Sequence, residues 1–577
     1  MMNALMQYTL YLVLLVGLSW PLGRYIANVM DGKKVFLSRV LRPCESGLYK
    51  LMRINEAEEM SWKKYALCAV MFNAIGLALL WGMQALQGLL PFNPEGLPGV
   101  RWDLGFNTAV SFMTNTNWQA YSGEATLSYL TQMVGLTVQN FVSAATGIAV
   151  LFALIRGLRR VREHGLGSFW TDMVRSTVYV LLPLALVLAL AQTSQGVIQN
   201  MSGHIEYQLM EPVSATLQDG ATAQVTKGYL PMGPASSQIA IKQLGTNGGG
   251  YNGTNSAHPL ENPTPLSNLL EMLALLLIPV ALCFTFGHAV KDTRQGRALL
   301  LAMFVLLVVA MGCCALAEHA GTPQLAQNGA VSSSANMEGK ETRFGIPTSV
   351  TWAAWTTAAS NGSVNSMHDS YTPLGGMMPM LLIQLGEVVF GGVGCGLYGM
   401  LGFVMLTVFI AGLMVGHTPE YLGKKIEARE MRLAVMVCLA TPVACLIGAG
   451  IACMVPATAD SLHNAGAHGF SEVLYAYSSA AGNNGSAFAG FNANTPFLNV
   501  SLGLVMLFAR FVPMLATLGI AGSMVEKKRI AVSAGTLSTS NGMFVFLLIF
   551  IVLLIGALSF FPALALGPIA EYFQMFS

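Results

Sequence analysis

The chain has 577 residues, of which 54% are hydrophobic and 10% charged, and its mean hydropathy is +0.56. Soluble domains carry about 25% charged residues, so this composition excludes a soluble multidomain enzyme and points to a lipid bilayer as the main solvent, with no nucleic-acid partner. The net charge of +2 says little; the placement of the charges says more.

Apolar segments long enough to cross a hydrocarbon layer of about 30 Å are predicted at 5–23, 65–90, 125–155, 177–198, 266–290, 298–318, 377–415, 433–456, 497–525 and 543–567. No Lys or Arg precedes the first and no small-residue cleavage site follows it, so it reads as a retained anchor. Every second connection is cationic: Arg24 to Lys64, Arg156 to Arg175, Lys291 to Arg297, Lys424 to Arg432 and Lys527 to Arg529 together hold 24 of the 30 Lys and Arg. The positive-inside bias predicts that these five connections are cytoplasmic and both termini extracytoplasmic. The nine cysteines form no C-x-x-C pair and fall mostly in apolar helices, where they read as inert buried thiols.

The expected fold is an all-α integral membrane protein of ten transmembrane helices. Four span–loop–span repeats stand in pseudo-fourfold order, with one extra helix at each end. The divisions are an N-terminal anchor and cytoplasmic connection over 1–64, repeats at 65–155, 156–290, 291–416 and 417–525, and a C-terminal helix over 526–577. The polar segments 199–235 and 319–346 read as outer connections with a few strands.

Each repeat carries a short polar loop in its charge-poor connection: Thr116-Asn117-Trp118, with Asn115 before it, then Thr246-Asn247-Gly248, Ser360-Asn361-Gly362 and Asn483-Asn484-Gly485. Their intervals of 130, 114 and 123 residues are too long for a solenoid. Before each loop lies a stretch too short to cross, at Phe106–Met113, Ser236–Leu244, Thr348–Ala358 and Glu472–Ser479. Half-helices ending at the loops would aim their partial negative charge at a common axis. Non-helical backbone at membrane depth is tolerated where it is buried in protein or lines a water-filled path.

Rings of backbone carbonyls are how a protein replaces the hydration shell of potassium. Glycine lets the main chain approach closely and adopt positive φ, which suits Gly248, Gly362 and Gly485. The loops hold no Asp or Glu, which argues against calcium or magnesium. A lone Asn-Gly is a common turn; four in register after half-spans are a ring. Gly245–Gly250 lacks the G-K-[ST] of a phosphate cradle, and the Asn-Gly-Ser glycosylation matches fall on the proposed ring. The first loop departs from the rest by Trp118 and Gln119, and Gln119 either offers its amide near the ion path or braces the loop.

Segment 377–415 would measure about 58 Å as one helix, and Gly386 to Gly399 holds six glycines beside Glu387. An unwound section is expected there, with Gly391 and Gly392 in its centre, either as a gate or lateral portal or as close packing by small residues. Arg510 lies inside the apolar run Leu502–Leu518, where an ionisable group is functional by default. It forms an electrostatic stop, pairs with Glu387 or bonds to loop carbonyls. Glu124 and Asp369 are expected on a solvated outer rim.

The set T-N-T-N-W-Q at 114–119, G-T-N-G-G-G at 245–250, S-N-G-S at 360–363 and N-N-G-S at 483–486 resembles the KdpA family, potassium-binding subunits of the bacterial Kdp potassium-transporting ATPase. H-T-P-E-Y-L-G-K-K-I-E at 417–427 is similar to that family's cytoplasmic loop, with His417 where Arg is expected. The resemblance spans essentially the whole chain. It implies a bacterial inner-membrane subunit that captures external K+ and passes it sideways to a KdpB-like P-type ATPase subunit, with KdpC-like and KdpF-like small membrane subunits completing the complex. ATP is then bound by the partner alone, in keeping with the lack of a D-K-T-G motif and a Walker lysine here. A Trk/Ktr-like potassium channel or symporter subunit under a soluble regulatory ring is the alternative. A secondary transporter with inverted repeats fits less well, because these repeats run parallel.

Overall fold

The computed structural model describes residues 2–216, 222–323, 335–416, 418–530 and 537–576. Ten helices are long and apolar enough to span: Asn3–Met30, Trp62–Leu89, Thr131–Arg159, Phe169–Ser194, Pro265–Ala289, Thr293–Ala320, Cys395–Met414, Ala428–Met454, Pro496–Glu526 and Gly542–Gln574. The expected all-α membrane fold is present.

Burial sorts the spans into an inner and an outer ring. The most apolar stretches of Thr131–Arg159 and Pro265–Ala289, which follow the first two loops, are 83% and 78% buried, against 17% and 22% for Asn3–Met30 and Trp62–Leu89. Side chains of the outer ring, such as Leu79 and Leu10, are apolar and exposed, as a lipid-facing surface requires.

After three of the four loops the next long helix begins with the same pair, Thr264-Pro265, Thr372-Pro373 and Thr495-Pro496. The Thr oxygen accepts from the backbone N–H of Ser267 at 3.0 Å, Gly375 at 3.2 Å and Leu498 at 3.3 Å. Proline at the first helical position costs nothing, since its missing N–H would have no helical partner. In the first repeat Ser128 does the same for Thr131 N–H at 3.4 Å. This cap repeats with the period of the loops.

The cation-bearing connections meet at one end of the bundle. Arg159 pairs with Asp31 at 3.0 Å, Arg160 with Glu59 at 2.7 Å and Lys527 with Glu430 at 2.7 Å. Lys424 is buried and donates to the carbonyls of Gly157 at 2.8 Å and Met524 at 2.5 Å, where the dipoles of two spans favour a cation. Also at this end, helix Ser38–Met52 lies on the surface with no buried residue. The polar segment after the fourth span forms an antiparallel hairpin, Ile205–Thr216 with Thr222–Leu230, Ile205 opposite Leu230.

Segment 377–415 is not one helix. Helix Pro373–Gln384 ends, residues 385–394 are unwound, and helix Cys395–Val415 resumes. The unwound stretch is shorter than the glycine run suggests, since Gly396 and Gly399 are already helical. Left-handed φ at Gly386, Glu387, Phe390, Gly391 and Gly394 explains the break.

Candidate functional site

Four short helices, Trp102–Met113, Ala235–Leu244, Gly345–Ala358 and Gly466–Ala481, each end directly before one of the polar loops. They begin one to six residues earlier than the sequence suggests. Within each loop two residues separated by one are left-handed: Asn115 (φ +64°) and Asn117 (+55°), Thr246 (+51°) and Gly248 (+80°), Ser360 (+48°) and Gly362 (+94°), Asn483 (+46°) and Gly485 (+96°). Among the described residues the one between them is not left-handed. Such alternation turns successive peptide planes so that carbonyls no longer point to opposite sides as they do in a strand.

This pattern corrects the register of the first loop. The spacing of Thr-Asn pairs aligned Trp118 with Gly248, but the equivalent residue is Asn117. Thr116 N–H and Asn117 N–H both reach the Ser111 carbonyl, as Asn247 N–H and Gly248 N–H both reach that of Lys242. Asn361 N–H on Thr356 and Asn484 N–H on Ser479 complete the set. Asn115-Thr116-Asn117 is therefore the first loop's turn. Asparagine tolerates left-handed φ better than most side chains, which is why no glycine marks it.

The loops close a ring. Asn115 Nδ2 donates to the Thr246 carbonyl at 2.8 Å, joining the first to the second. Asn361 Nδ2 donates to the Lys242 carbonyl at 3.1 Å, and Asn484 Nδ2 to that of Thr356 at 2.9 Å. Asn483 Nδ2 donates to Thr116 Oγ1 at 2.8 Å, joining fourth to first. Asn247 Nδ2 adds a bond to Asn115 Oδ1 at 2.6 Å. The asparagine side chains are thus spent on holding neighbours together. A Cβ on Gly248 would overlap the Asn361 carbonyl, one on Gly362 that of Asn484, and one on Gly485 that of Thr116.

The middle residues Thr116, Asn247, Asn361 and Asn484 are each fully buried. Among the described residues none of their backbone carbonyls receives a hydrogen bond. Buried carbonyls are nearly always paired, so four equivalent ones left over is a concentrated demand for positive charge. A cavity of about 410 Å³ on one side is bounded by Asn117, Gly248, Gly362 and Gly485, the third residue of every loop.

Behind the second and third loops lies a buried polar scaffold that the sequence reading missed. Lys242 pairs with Glu261 and donates to Asn255 Oδ1 at 2.7 Å; Asn255 Nδ2 donates to the Gly248 carbonyl at 2.8 Å. Gln243 donates to Glu271 at 2.8 Å and accepts from Ser363 Oγ at 2.9 Å. The available signal was Lys242 itself, a cation inside the half-helix Q-I-A-I-K-Q-L. A second buried pair, Lys340 with Glu318 at 2.6 Å, anchors Thr372 through Glu318 Oε1. Trp118 is buried beside the first loop, and its carbonyl accepts from Ser111 Oγ at 3.0 Å. Gln119 clamps the second loop: its Oε1 accepts from Gly250 N–H at 2.9 Å and its Nε2 donates to the Gly250 carbonyl at 3.2 Å.

On the other side of the ring a small cavity of about 20 Å³ is lined by Asn483, Glu387, Arg510 and Cys395. Arg510 Nη1 stands 3.9 Å from Glu387 Oε2, so the two form a loose ion pair. The unwound stretch is latched to the loops: Val393 N–H donates to Thr246 Oγ1 at 2.8 Å and Gly391 N–H to the Ala358 carbonyl at 2.8 Å. Gly394 packs backbone to backbone on Gly147, and Gly392 lies near Thr246 Oγ1 at 3.5 Å from its Cβ position.

Asp369 is not on a solvated rim. It is buried and bonds His468 Nε2 at 2.9 Å, while His468 Nδ1 bonds Glu571 at 2.8 Å. Burial works against the imidazolium, but the two carboxylates outweigh it and push its pKa up to about 10. Glu124 is half-buried and accepts from Gly253 N–H at 2.7 Å. His417 lies outside the described residues.

A family profile described as "Potassium-transporting ATPase A subunit" matches residues 9–573. Proteins named "Potassium-transporting ATPase potassium-binding subunit" are similar along the whole of both chains, at 66% identity in Clostridium botulinum, 64% in Clostridium perfringens and 60% in Desulfovibrio desulfuricans. Among solved structures, the potassium transporter TrkH from Vibrio parahaemolyticus aligns with a TM-score of 0.49 at 12% identity, over 87% of this chain and 97% of that one.

Proposed function

Because the chain belongs to the KdpA family, the A subunits of potassium-transporting ATPases, we propose that it is the subunit that binds K+, and that it does so between the four loops. The observation that carries this reading is the ring of buried, unclaimed carbonyls at Thr116, Asn247, Asn361 and Asn484. Carbonyl dipoles stabilise a monovalent cation without the fixed charge that would hold it too tightly to leave. The flanking residues of each loop, Asn115 with Asn117, Thr246 with Gly248, Ser360 with Gly362, and Asn483 with Gly485, bring further backbone oxygens, of which those of Thr246 and Gly248 already accept one side-chain hydrogen bond each. The C-terminal ends of four short helices add partial negative charge to the same axis.

The ion enters from the 410 Å³ cavity and meets Arg510 on the far side. A guanidinium there opposes straight passage. The unwound stretch beside it, with Glu387, Gly391 and Gly392, offers a sideways exit toward the partner. The partner is a KdpB-like P-type ATPase subunit in the inner membrane, which binds and hydrolyses ATP; KdpC-like and KdpF-like subunits complete the complex. The charge distribution supports a cytoplasmic position for the cation-rich end and an external one for the loops.

Two measurements test this. The Gly248→Asp variant puts a carboxylate where the second loop meets the third, and is expected to abolish micromolar-range potassium uptake; wild-type uptake removes that loop from the site. Purification from the native membrane is expected to yield a co-purifying subunit of P-type ATPase size. A soluble nucleotide-binding ring in its place overturns the assignment in favour of a channel subunit.

A further inference from the structure

The cation-rich end carries a feature that ion capture does not use. A cavity of about 270 Å³ sits between the foot of the first span and the surface helix Ser38–Met52, and its lining includes Lys33, Lys34, Arg42 and Arg175. Arg175 is neutralised there by Glu45 at 3.2 Å and by Glu56, and Lys33 by Asp31 at 3.2 Å. Lys34 and Arg42 make no ion pair or side-chain hydrogen bond among the described residues. The cavity therefore holds two uncommitted cations.

Beside it lies an open groove of about 520 Å³, walled by Trp20, Pro21, Tyr25 and Phe36 and reaching His288. The two hollows share Lys34 and Val35. Trp20 is 64% exposed and Phe36 80% exposed. Along the surface helix Val40, Leu51 and Met52 are exposed beside Arg39, Arg42 and Lys50. A basic helix with an apolar face and nothing buried beneath it is the pattern of an element lying in the membrane interface. A cationic hollow joined to an apolar trough is complementary to a single amphiphile with a negative head.

We propose that this end of the chain binds one anionic phospholipid of the surrounding leaflet. Its phosphodiester contacts Lys34 and Arg42, and an acyl chain lies along Trp20 and Phe36. The surface helix closes over the headgroup and ties it to Arg175 and the start of the fourth span through Glu45 and Tyr179, which bond at 2.7 Å.

The test uses the full-length chain in detergent micelles, titrated with phosphatidylglycerol, phosphatidylcholine or glycerol 3-phosphate, with bound lipid counted by native mass spectrometry. One phosphatidylglycerol per chain is expected to bind tightly and phosphatidylcholine only weakly. A cation near an anionic headgroup is worth roughly fivefold in affinity, so the Lys34→Gln/Arg42→Gln double variant is expected to bind phosphatidylglycerol about thirty-fold more weakly. Phe36→Ser is expected to weaken it too, and both variants keep wild-type potassium binding, which shows that they fold. Equal affinity for the two lipids, or unchanged binding by the double variant, overturns the proposal. Full competition by glycerol 3-phosphate with no effect of Phe36→Ser also overturns it, and leaves a site for small phosphate anions.

Discussion

The ring makes a sharp prediction at Gly362. Its φ of +94° and the position its Cβ would take leave no room for alanine: the atom would overlap the Asn484 carbonyl oxygen, and would stand 2.9 Å from that carbonyl carbon and 3.0 Å from Gly485 Cα. All three obstacles are backbone, so no side chain can swing away. Holding a non-glycine residue in such a conformation costs about 1–3 kcal/mol. The free protein relieves that cost by letting the fourth loop retreat, which draws the Asn484 carbonyl off the axis. Potassium then binds only by pulling the loop back, and the strain reappears as lost affinity. At about 1.4 kcal/mol per factor of ten, Gly362→Ala should bind K+ roughly 5- to 150-fold more weakly.

Asn117→Gly is the matched control, because Asn117 is the third residue of the first loop. Glycine relieves the left-handed strain at φ +55° and removes the bond from Asn117 Nδ2 to Asn140 Oδ1 at 2.7 Å. Each effect is worth about 1 kcal/mol with opposite sign, so affinity should stay within about threefold of wild type. Titration calorimetry of the purified chain with K+ in choline buffer measures both, and thermal unfolding checks that each variant folds. Wild-type affinity in Gly362→Ala, or an equal loss in both variants, refutes the alignment of the loops and the carbonyl ring built on it.

Gln119→Arg cannot accept from Gly250 N–H and brings a cation to the entrance cavity, so potassium affinity should fall about tenfold or more; unchanged kinetics would remove Gln119 from the site's support. Arg510→Ala takes away the positive charge opposite Asn483, and in the assembled complex ATP hydrolysis should lose part of its dependence on K+; intact coupling would make Arg510 purely structural. His468 has a folded pKa of about 10, above an unfolded value of about 6.5. Its stabilisation is therefore complete below about pH 6.5 and lost as pH rises through 10. The melting-temperature gap between wild type and His468→Gln should accordingly shrink from pH 7 to pH 10, and a gap that is constant or grows rejects the bridge between Asp369 and Glu571.

What the sequence revealed and what it hid have a common cause. The spans were legible because a bilayer forces long apolar runs, and the cations of alternate connections fall together at one end, as Arg159 with Asp31 and Lys424 with Met524 demonstrate. Three loops were legible because glycine is needed where one backbone touches the next. The first was misaligned by one residue because asparagine performs that turn at position 117, leaving Trp118 to attract attention as an apparent substitute. The Thr-Pro caps at 264, 372 and 495 would have fixed the repeat boundaries without reference to the loops.

The buried charges were hidden for a deeper reason. Glu261 resembles the solvated residues of any connection, and only the folded chain brings Lys242, Glu261 and Glu271 together out of water. A buried pair is a poor source of stability, so its presence here calls for another explanation, and its contacts supply one. Through Asn255 and Gln243 the group grips the Gly248 carbonyl and Ser363, in two adjacent loops. Because Lys242 and Glu261 neutralise each other, they brace the ring without adding charge along its axis, where a carboxylate would trap the ion and a free ammonium would repel it. If the ring is the potassium site proposed above, both holding and releasing the ion are better served by strong charges kept behind the loops, with neutral oxygens alone in front.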